Sequence, residues 1–268
     1  LIPLLYKRFD KIICVSQGIR SELISTYNFR PYMLDVIPNG FDVDNILRLT
    51  GNNSMDSIMN VLAGKRVLVT HSRLAPQKNI RAIIEIYTKV SQLSKAKLVV
   101  IGDGELRDEL LSQVESAGLK LYSIWRNDLL TDENDVYFVG YQENPFPLLS
   151  KCSIYLMTSL WEGFPLSLGE AMVCGIAPVV ADCFTGPREI LAPERIAPQP
   201  ILTPVHTPSG VLMPLANTES SWQLWADEIC KLLEDDFKRK RMAEKAKVRI
   251  KHFDQREIQR KWLQLIYE

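Results

Sequence analysis

The sequence is poor in the residues that metal and redox centres are usually built from. Only three histidines occur in 268 residues (His71, His206, His252), none at a ligand spacing from another. The five cysteines (Cys14, Cys152, Cys174, Cys183, Cys230) are odd in number and form no CxxC pair. They read as reduced, buried thiols of a cytosolic protein rather than as disulfides or ligands. Net charge is also missing: 32 Lys and Arg balance 32 Asp and Glu, so no global field draws the chain to nucleic acid. No apolar run approaches the roughly 20 residues that span a bilayer. The opening LIPLLYKRFD lacks a basic leader and a small-residue cleavage site, so it does not read as a signal peptide. It also lacks an initiator Met, and the expectation is a start inside a longer protein. No Ser/His/Asp or Cys/His set can be assembled for nucleophilic catalysis.

What is present is ordinary globular material, 46% apolar and 24% charged, enough for a real core and against disorder. Short β-branched runs alternate with helical stretches. KIICVS (11–16) reads as a strand, followed by a helix over 17–28 capped by Ser16. LDVIPNG (34–40) is a short extended run stopped by Pro38 and Asn39-Gly40, and 42–63 is weakly patterned with a short helix at its end. A regular series follows: strands at 66–72, 97–103, 136–140, 154–159 and 177–181, separated by helices at 79–93, 105–116, 146–151 and 166–174. These strands are apolar throughout, as when helices cover both faces of a parallel sheet. The expected fold is therefore α/β, a Rossmann-like doubly wound parallel sheet.

Residues 192–209 carry five prolines and are expected to form an extended surface loop, with GVLMP (210–214) resuming as an edge strand. Helices over 219–252 and 254–268 close the chain. The segment 237–261 holds eleven Lys or Arg against three acids, so the rest of the chain is acidic by the same margin. A solvated helix face is the default reading; a peripheral contact with anionic lipid or a polyanionic substrate is the alternative.

Four features point to a phosphorylated ligand. RVLVTHS runs into Arg73 and Lys78 at the mouth of the next helix, a cationic fork and an ammonium suited to a diphosphate. IGDGELRDEL places Gly102 and Gly104 at a strand exit, by itself a tight turn. In LWEGFPLSLGEAM (160–172), Gly163 and Pro165 sit where a helix begins, and free amides there seat an anion. Glu162 and Glu170 flank that seat and suit sugar or ribose hydroxyls better than phosphate. TGPREI (185–190) is a second Gly-Pro turn opening a helix. Asp42-Val43-Asp44 matches an acidic DxD metal motif in form, but its linker-like setting argues against metal binding. Trp222, Trp225 and Ile229 are at helical spacing and read as core.

EGFPLSLGE, a Glu, seven residues and a Glu, lies downstream of HSRL…QK, VVIGDGELRDEL and VYFVGY in that order. The ordered set resembles the retaining nucleotide-sugar glycosyltransferases of family 4, which have the two-domain GT-B fold. The likeness spans roughly 10–268. ICVSQGIRSEL resembles the end of the family's amino-terminal domain, and VIPNGFD its crossover. The resemblance implies 1–45 as a remnant of the acceptor domain, 46–250 as the donor-binding domain, and 251–268 as a closing helix that packs back on the remnant. It implies transfer of a sugar, with retention, from a UDP- or GDP-linked donor to a glycan or lipid-linked acceptor. No metal and no other cofactor is implied, and the setting is cytoplasmic, with a peripheral place on the cytoplasmic face of the membrane as the alternative.

By the same resemblance, Arg73 and Lys78 grip the donor diphosphate, Glu170 meets the ribose hydroxyls and Glu162 faces the donor sugar. The stretch Gly163, Phe164, Pro165, Leu166 and Ser167 contacts sugar and phosphate through its backbone, and Gly140 and Tyr141 line the base pocket. Pro165 stands where many members have Gly, so any amide contact there is lost. The family's glycine-rich loop, acceptor site and histidine belong to an amino-terminal domain of which only the last pieces are here, so donor binding without full activity is expected. Two alternatives stay open: a non-catalytic nucleotide-sugar binding module, separable by the native mass, and an epimerase of the same fold, separable by isomerisation without acceptor.

Overall fold

A computed structural model describes residues 5–6, 8–51, 56–183, 185–194 and 199–267. The first segment supplies β1 (Ile12–Cys14), α1 (Gln17–Ser25) and β2 (Leu34–Val36), the two strands pairing in parallel. Ser16 caps α1 by accepting from the Ile19 amide at 3.2 Å. The crossover then forms α2 (Val43–Leu49) and α3 (Asp56–Leu62).

The main sheet contains β3 (Val67–His71), β4 (Lys97–Ile101), β5 (Leu121–Ser123), β6 (Val136–Phe138), β7 (Ile154–Met157), β8 (Ala177–Ala181), β9 (Val205–Thr207) and β10 (Gly210–Met213). Their order is β5-β6-β4-β3-β7-β8-β10-β9, and all neighbours are parallel except β9 with β10. The connecting helices are α4 (Ile80–Leu93), α5 (Arg107–Ser116), α6 (Phe146–Leu149), α7 (Leu166–Cys174) and α8 (Pro187–Leu191). The chain closes with α9 (Glu219–Glu234), α10 (Asp236–Ile250) and α11 (Gln255–Tyr267).

Alternate residues of each strand feed two separate cores, as the period of two requires. Leu68, Leu98 and Val100 pack under Ile83, Tyr87, Leu110, Trp225 and Ile229 of α4, α5 and α9. Val69, Val99 and Tyr155 pack on the other face under Ile46, Leu168, Met172, Ala246 and Ile250. This is the expected doubly wound α/β sheet, with β3 and β7 as neighbours from which the chain winds outward in both directions.

Several sequence expectations are corrected. β10 is an inner strand, because Val205–Thr207, inside the proline-rich stretch, pairs antiparallel with it and takes the edge; residues 195–198 of that stretch lie outside the described residues. The single helix expected over 219–252 breaks at Asp235, whose carboxylate accepts from the Lys238 amide at 2.8 Å and caps α10. Arg239 turns inward and donates to the carbonyls of Leu232 and Leu233, closing the end of α9. Arg249 donates to the carbonyls of Glu189 and Ile190 at 2.9 and 2.7 Å, so two of the eleven basic residues are structural. Asp42 caps α2 and Asp44 pairs with Arg256, so the acidic pair opens a helix rather than lying in a linker.

Phe41 ties the crossover to the closing helix. Its amide donates to the Phe253 carbonyl, its carbonyl accepts from the Gln255 amide, both at 2.9 Å, and its ring lies on α7 at Gly169. A Cβ at Gly169 would fall inside that ring, which is pinned by backbone bonds on both sides and cannot retreat. Gly169→Ala is expected to lower stability by about 1–3 kcal/mol, the usual cost of overpacking. Urea unfolding checks it, and an unchanged midpoint would show that the ring has room to move.

Candidate functional site

The site lies at the carboxyl ends of β3 and β7, where the winding reverses; open α/β sheets bind ligands at such points. Two turns are pressed together beside it. Gly102 adopts φ +136, and a Cβ there would collide with the Ser72 carbonyl oxygen, so the loops after β3 and β4 touch backbone to backbone. The Gly102 amide donates to the Gly140 carbonyl at 2.8 Å, which joins the loop after β6 to the same rim. These glycines serve loop packing, and Tyr141 follows them as an exposed side chain.

The loop after β3 carries the cations. Lys78 Nζ stands 2.6 Å from Glu162 Oε1, with side-chain exposures of 19% and 7%. This nearly buried pair spans 84 positions of sequence. It is held from both sides: Thr158 Oγ1 donates to the carbonyls of Lys78 and Asn79, and Gln77 Nε2 donates to the Trp161 carbonyl at 2.7 Å. Arg73 is mostly exposed and pairs with Glu105 at 3.1 Å, an interaction that solvent screens and that the side chain can leave.

The first turn of α7 completes the arrangement. Pro165 caps it with extended backbone, and the amides of Leu166, Ser167 and Leu168 have no carbonyl one turn before them. Tyr155 donates to Ser167 Oγ at 2.9 Å and fixes that hydroxyl. Phe164 points inward onto Phe41 and Phe253, and its carbonyl accepts from Asn39 at 3.4 Å. Thr185 Oγ1 donates to the Glu162 carbonyl, and Gly186 of the second Gly-Pro turn fits closely against Gly163 and Pro165.

Glu170, one turn into α7, faces His71 at the end of β3, Oε2 to Nδ1 3.5 Å. That separation makes no hydrogen bond, and Nδ1 is left buried without a partner among the described residues. Burial, aided by the charge of Lys78, lowers the His71 imidazole to about 4, so it is neutral at pH 7. Burial also raises the Glu170 carboxyl. Cys183, nearby in sequence to this rim, is no nucleophile, since burial first, then Glu162, pushes its thiol up to about 12. His206 and His252 lie elsewhere, and no group of three or more His, Cys, Asp or Glu among the described residues could hold a metal ion.

The predicted residues thus divide. Lys78, Glu162, Glu170 and the α7 turn come together at the β3–β7 gap. Arg73 stands at its edge, and Gly140 and Tyr141 on the neighbouring rim. Sequence reasoning did not find His71 as a site residue, since histidines were weighed only by metal spacing and for nucleophilic sets; its place as the last residue of a buried strand was the available signal. It also missed Glu189, whose carboxylate accepts from the amides of Gln17 and Gly18, both at 2.8 Å, and fastens α1 to the turn beside Glu162.

Comparison with known proteins follows this geometry. The family model for glycosyl transferases of group 1 matches residues 58–249, and one for glycosyltransferase family 4 matches residues 1–45. An uncharacterized glycosyltransferase of Methanocaldococcus jannaschii is 29% identical over 274 residues, which covers 97% of this chain and 64% of that protein. The N-acetylgalactosamine-N,N'-diacetylbacillosaminyl-diphospho-undecaprenol 4-alpha-N-acetylgalactosaminyltransferase of Campylobacter jejuni is 30% identical over 260 residues, covering 97% of this chain and 60% of that protein. The crystal structure of Anabaena Alr3699/HepE in complex with UDP and glucose superposes with a TM-score of 0.76 at 23% identity, over 99% of this chain and 65% of that one. The chain therefore spans less than two thirds of the length of these relatives.

The pair of His71 and Glu170 sets a pH dependence. Between pH 6.5 and about 4 the unfolded chain protonates His71 while the folded one does not, so stability falls as pH falls, by at most about 3 kcal/mol. Glu170 acts oppositely: its raised carboxyl takes a proton earlier in the folded state, which offsets part of that loss. His71→Leu is expected to lose less stability over this window than the unmodified chain, and Glu170→Gln more. Urea unfolding at pH 7 and pH 4.5 measures both, and equal losses in all three proteins would mean that the imidazole titrates normally.

Proposed function

The chain belongs to the glycosyl transferases of group 1, and from that membership we propose that it binds a nucleotide diphosphate sugar and serves transfer of the sugar, with retention, to a glycan or lipid-linked acceptor. One observation carries the reading. Lys78 and Glu162, from loops far apart in sequence, meet beside the uncovered first turn of α7 at the reversal point of the sheet. A cation, free amides and carboxylates in one place suit a ligand with phosphates at one part and hydroxyls at others.

In this reading the diphosphate lies over the α7 turn. Lys78 keeps one proton donor on Glu162 and has two more for phosphate oxygens. Arg73 swings from Glu105 to the same group. As the bond between sugar and phosphate breaks, negative charge grows on the departing diphosphate. Fixed positive groups at that point lower the barrier because they need no reorganisation. Glu162 accepts from donor-sugar hydroxyls and Glu170 from the ribose, while Pro165, lacking an N–H, offers no amide. Gly140 and Tyr141 border the base.

Support for the ligand class comes from relatives. Anabaena Alr3699/HepE is known with UDP and with UDP-glucose, which makes UDP-sugars the first donors to test. The names of the Campylobacter jejuni relative and of a poly(ribitol-phosphate) alpha-N-acetylglucosaminyltransferase of Staphylococcus aureus describe acceptors carried on lipid or polymer. No helix among the described residues is long and apolar enough to cross a membrane. A lipid-linked acceptor would then be met from the surface, and the exposed Lys238, Lys240, Arg241 and Lys245 of α10 offer charge for that approach. We further propose that residues 1–45 are the end of an acceptor domain, 46–250 the donor domain and 251–268 the helix joining them.

Calorimetry with UDP tests the donor site. Charge-assisted bonds to phosphate contribute about 1.5–3 kcal/mol each, so Arg73→Ala or Lys78→Ala should weaken UDP about ten-fold or more. Unchanged affinity in a folded double variant would remove this site from the mechanism.

Donor affinity is also expected to be independent of divalent cations, since the charge on the diphosphate is met by side chains and amides. Titration of UDP with and without a chelator measures this. A large loss on chelation, repeated by Asp42→Asn, would place a metal in the site instead.

A further inference from the structure

Two adjacent strands each send one polar side chain toward α7. β3 and β7 pair in parallel with Val69 opposite Tyr155, and both residues belong to the core beneath α7. On β7, Tyr155 reaches Ser167 and closes a hydrogen bond at 2.9 Å. On β3, the period of two puts His71 on the same face as Val67 and Val69. There it meets Glu170, about one turn of helix beyond Ser167. The two contacts join the same kinds of element and differ in one respect. The second is not closed: Nδ1 of His71 stands 3.5 Å from Oε2 of Glu170 and makes no bond.

Neither partner of the open contact is answered elsewhere. Nδ1 is sealed from solvent and has no hydrogen-bond partner among the described residues. It therefore cannot touch a ligand, and the acceptor it faces is Glu170. The Glu170 side chain is 26% exposed, so its carboxylate is within reach of a ligand where Nδ1 is not. Burial alone shifts that carboxyl, with no donor among the described residues to stabilise its charge. The imidazole is neutral at pH 7, kept so by burial and then by the charge of Lys78. A neutral imidazole carries one N–H, and the nitrogen that holds it is set by the bond available there. A proton on Nδ1 gives that buried atom an acceptor, which removes the cost of leaving it unpaired.

We propose that His71 is a positioning residue for Glu170: its Nδ1–H holds one carboxylate oxygen, so that the other is presented to the vicinal hydroxyls of the donor ribose. This rests on the donor reading above, in which Glu170 meets the ribose. The bond closes when a hydroxyl engages the outer oxygen and the carboxylate loses its freedom to turn. His71 thus contributes selectivity for ribose over deoxyribose while touching neither the diphosphate nor the sugar.

Calorimetry at pH 7 with UDP, 2′-deoxy-UDP and 3′-deoxy-UDP tests this, the ratios of affinity being the readout. The unmodified chain is expected to prefer UDP over at least one deoxy analogue by about ten-fold or more, the worth of a hydrogen bond to a charged group. Glu170→Gln is expected to lower that preference. His71→Leu is expected to lower it about three- to ten-fold, and His71→Asn, whose side-chain amide can replace the Nδ1–H, to retain most of it. A second measurement needs no folded variant with altered binding. The chain has only three histidines, so nitrogen NMR can follow each imidazole in the unmodified protein. His71 is expected as the Nδ1–H tautomer once UDP saturates the site. The proposal is overturned by an undiminished preference in His71→Leu, by an equal loss in His71→Asn, by an equal weakening of UDP and both analogues in His71→Leu, or by an Nε2–H tautomer in the complex. If the unmodified chain binds UDP without preferring it to either analogue, this proposal fails and the donor site stands. If it does not bind UDP at all, the donor reading fails and this proposal with it.

Discussion

Covering both faces of a parallel sheet forces its connections to cross over, and the reversal of winding between β3 and β7 leaves a crevice at the carboxyl ends of those strands. The rest of the architecture depends on that gap. The hydrophobic effect fills the two faces with α4, α5 and α9 on one side and α2, α7 and α10 on the other, and it has no means of filling the end of the sheet between them. Polar side chains can collect there because the loops that reach it leave two neighbouring strands in the same direction.

The charges at the gap are arranged so that each is answered before any ligand arrives, with one exception. Lys78 is answered by Glu162, Arg73 by Glu105, and the amino end of α1 by the Glu189 carboxylate. Among the described residues, no carboxylate caps the amino end of α7. Of these two helix ends, that of α1 is therefore closed by the protein itself and that of α7 is open. Buried ion pairs are seldom net stabilisers, so the Lys78 and Glu162 pair is better understood as fixing a direction than as strengthening the fold.

Much of this was readable from the residues. The long apolar runs gave strands β3, β4, β7 and β8 and with them the fold, because a buried parallel strand needs apolar side chains on both faces. β5 and β9 escaped notice because Leu-Tyr-Ser and Val-His-Thr contain no such run; both are three-residue strands at the sheet's two edges, where only one neighbour must be satisfied. The break at Asp235 was hidden since apolar residues continue at helical spacing across it, and only the carboxylate's bond to the Lys238 amide marks the stop. At the site, Lys78, Glu162 and Glu170 were each singled out, but not that the first two touch. Strand order decides which loops meet, and hydrophobic period does not encode strand order. His71 was passed over because histidines were weighed by ligand spacing and nucleophilic sets, whereas it stands out through its contact with Glu170 of α7.

Gly169 lies in the middle of α7, between the turn that faces the gap and the end of the helix, and Phe41 occupies the space where its side chain would be. Tolerance to replacement along this helix is therefore governed by two unrelated demands that alternate within a few residues. One, under the proposed function, is chemical and concerns Ser167 and Glu170; the other is steric and concerns the passage of the crossover beneath. Under the proposed function, a map of which substitutions lower activity would mark 167, 169 and 170 alike. Only a measurement that separates folded protein from working protein would reveal that the middle position is a doorway for the chain rather than part of the reaction.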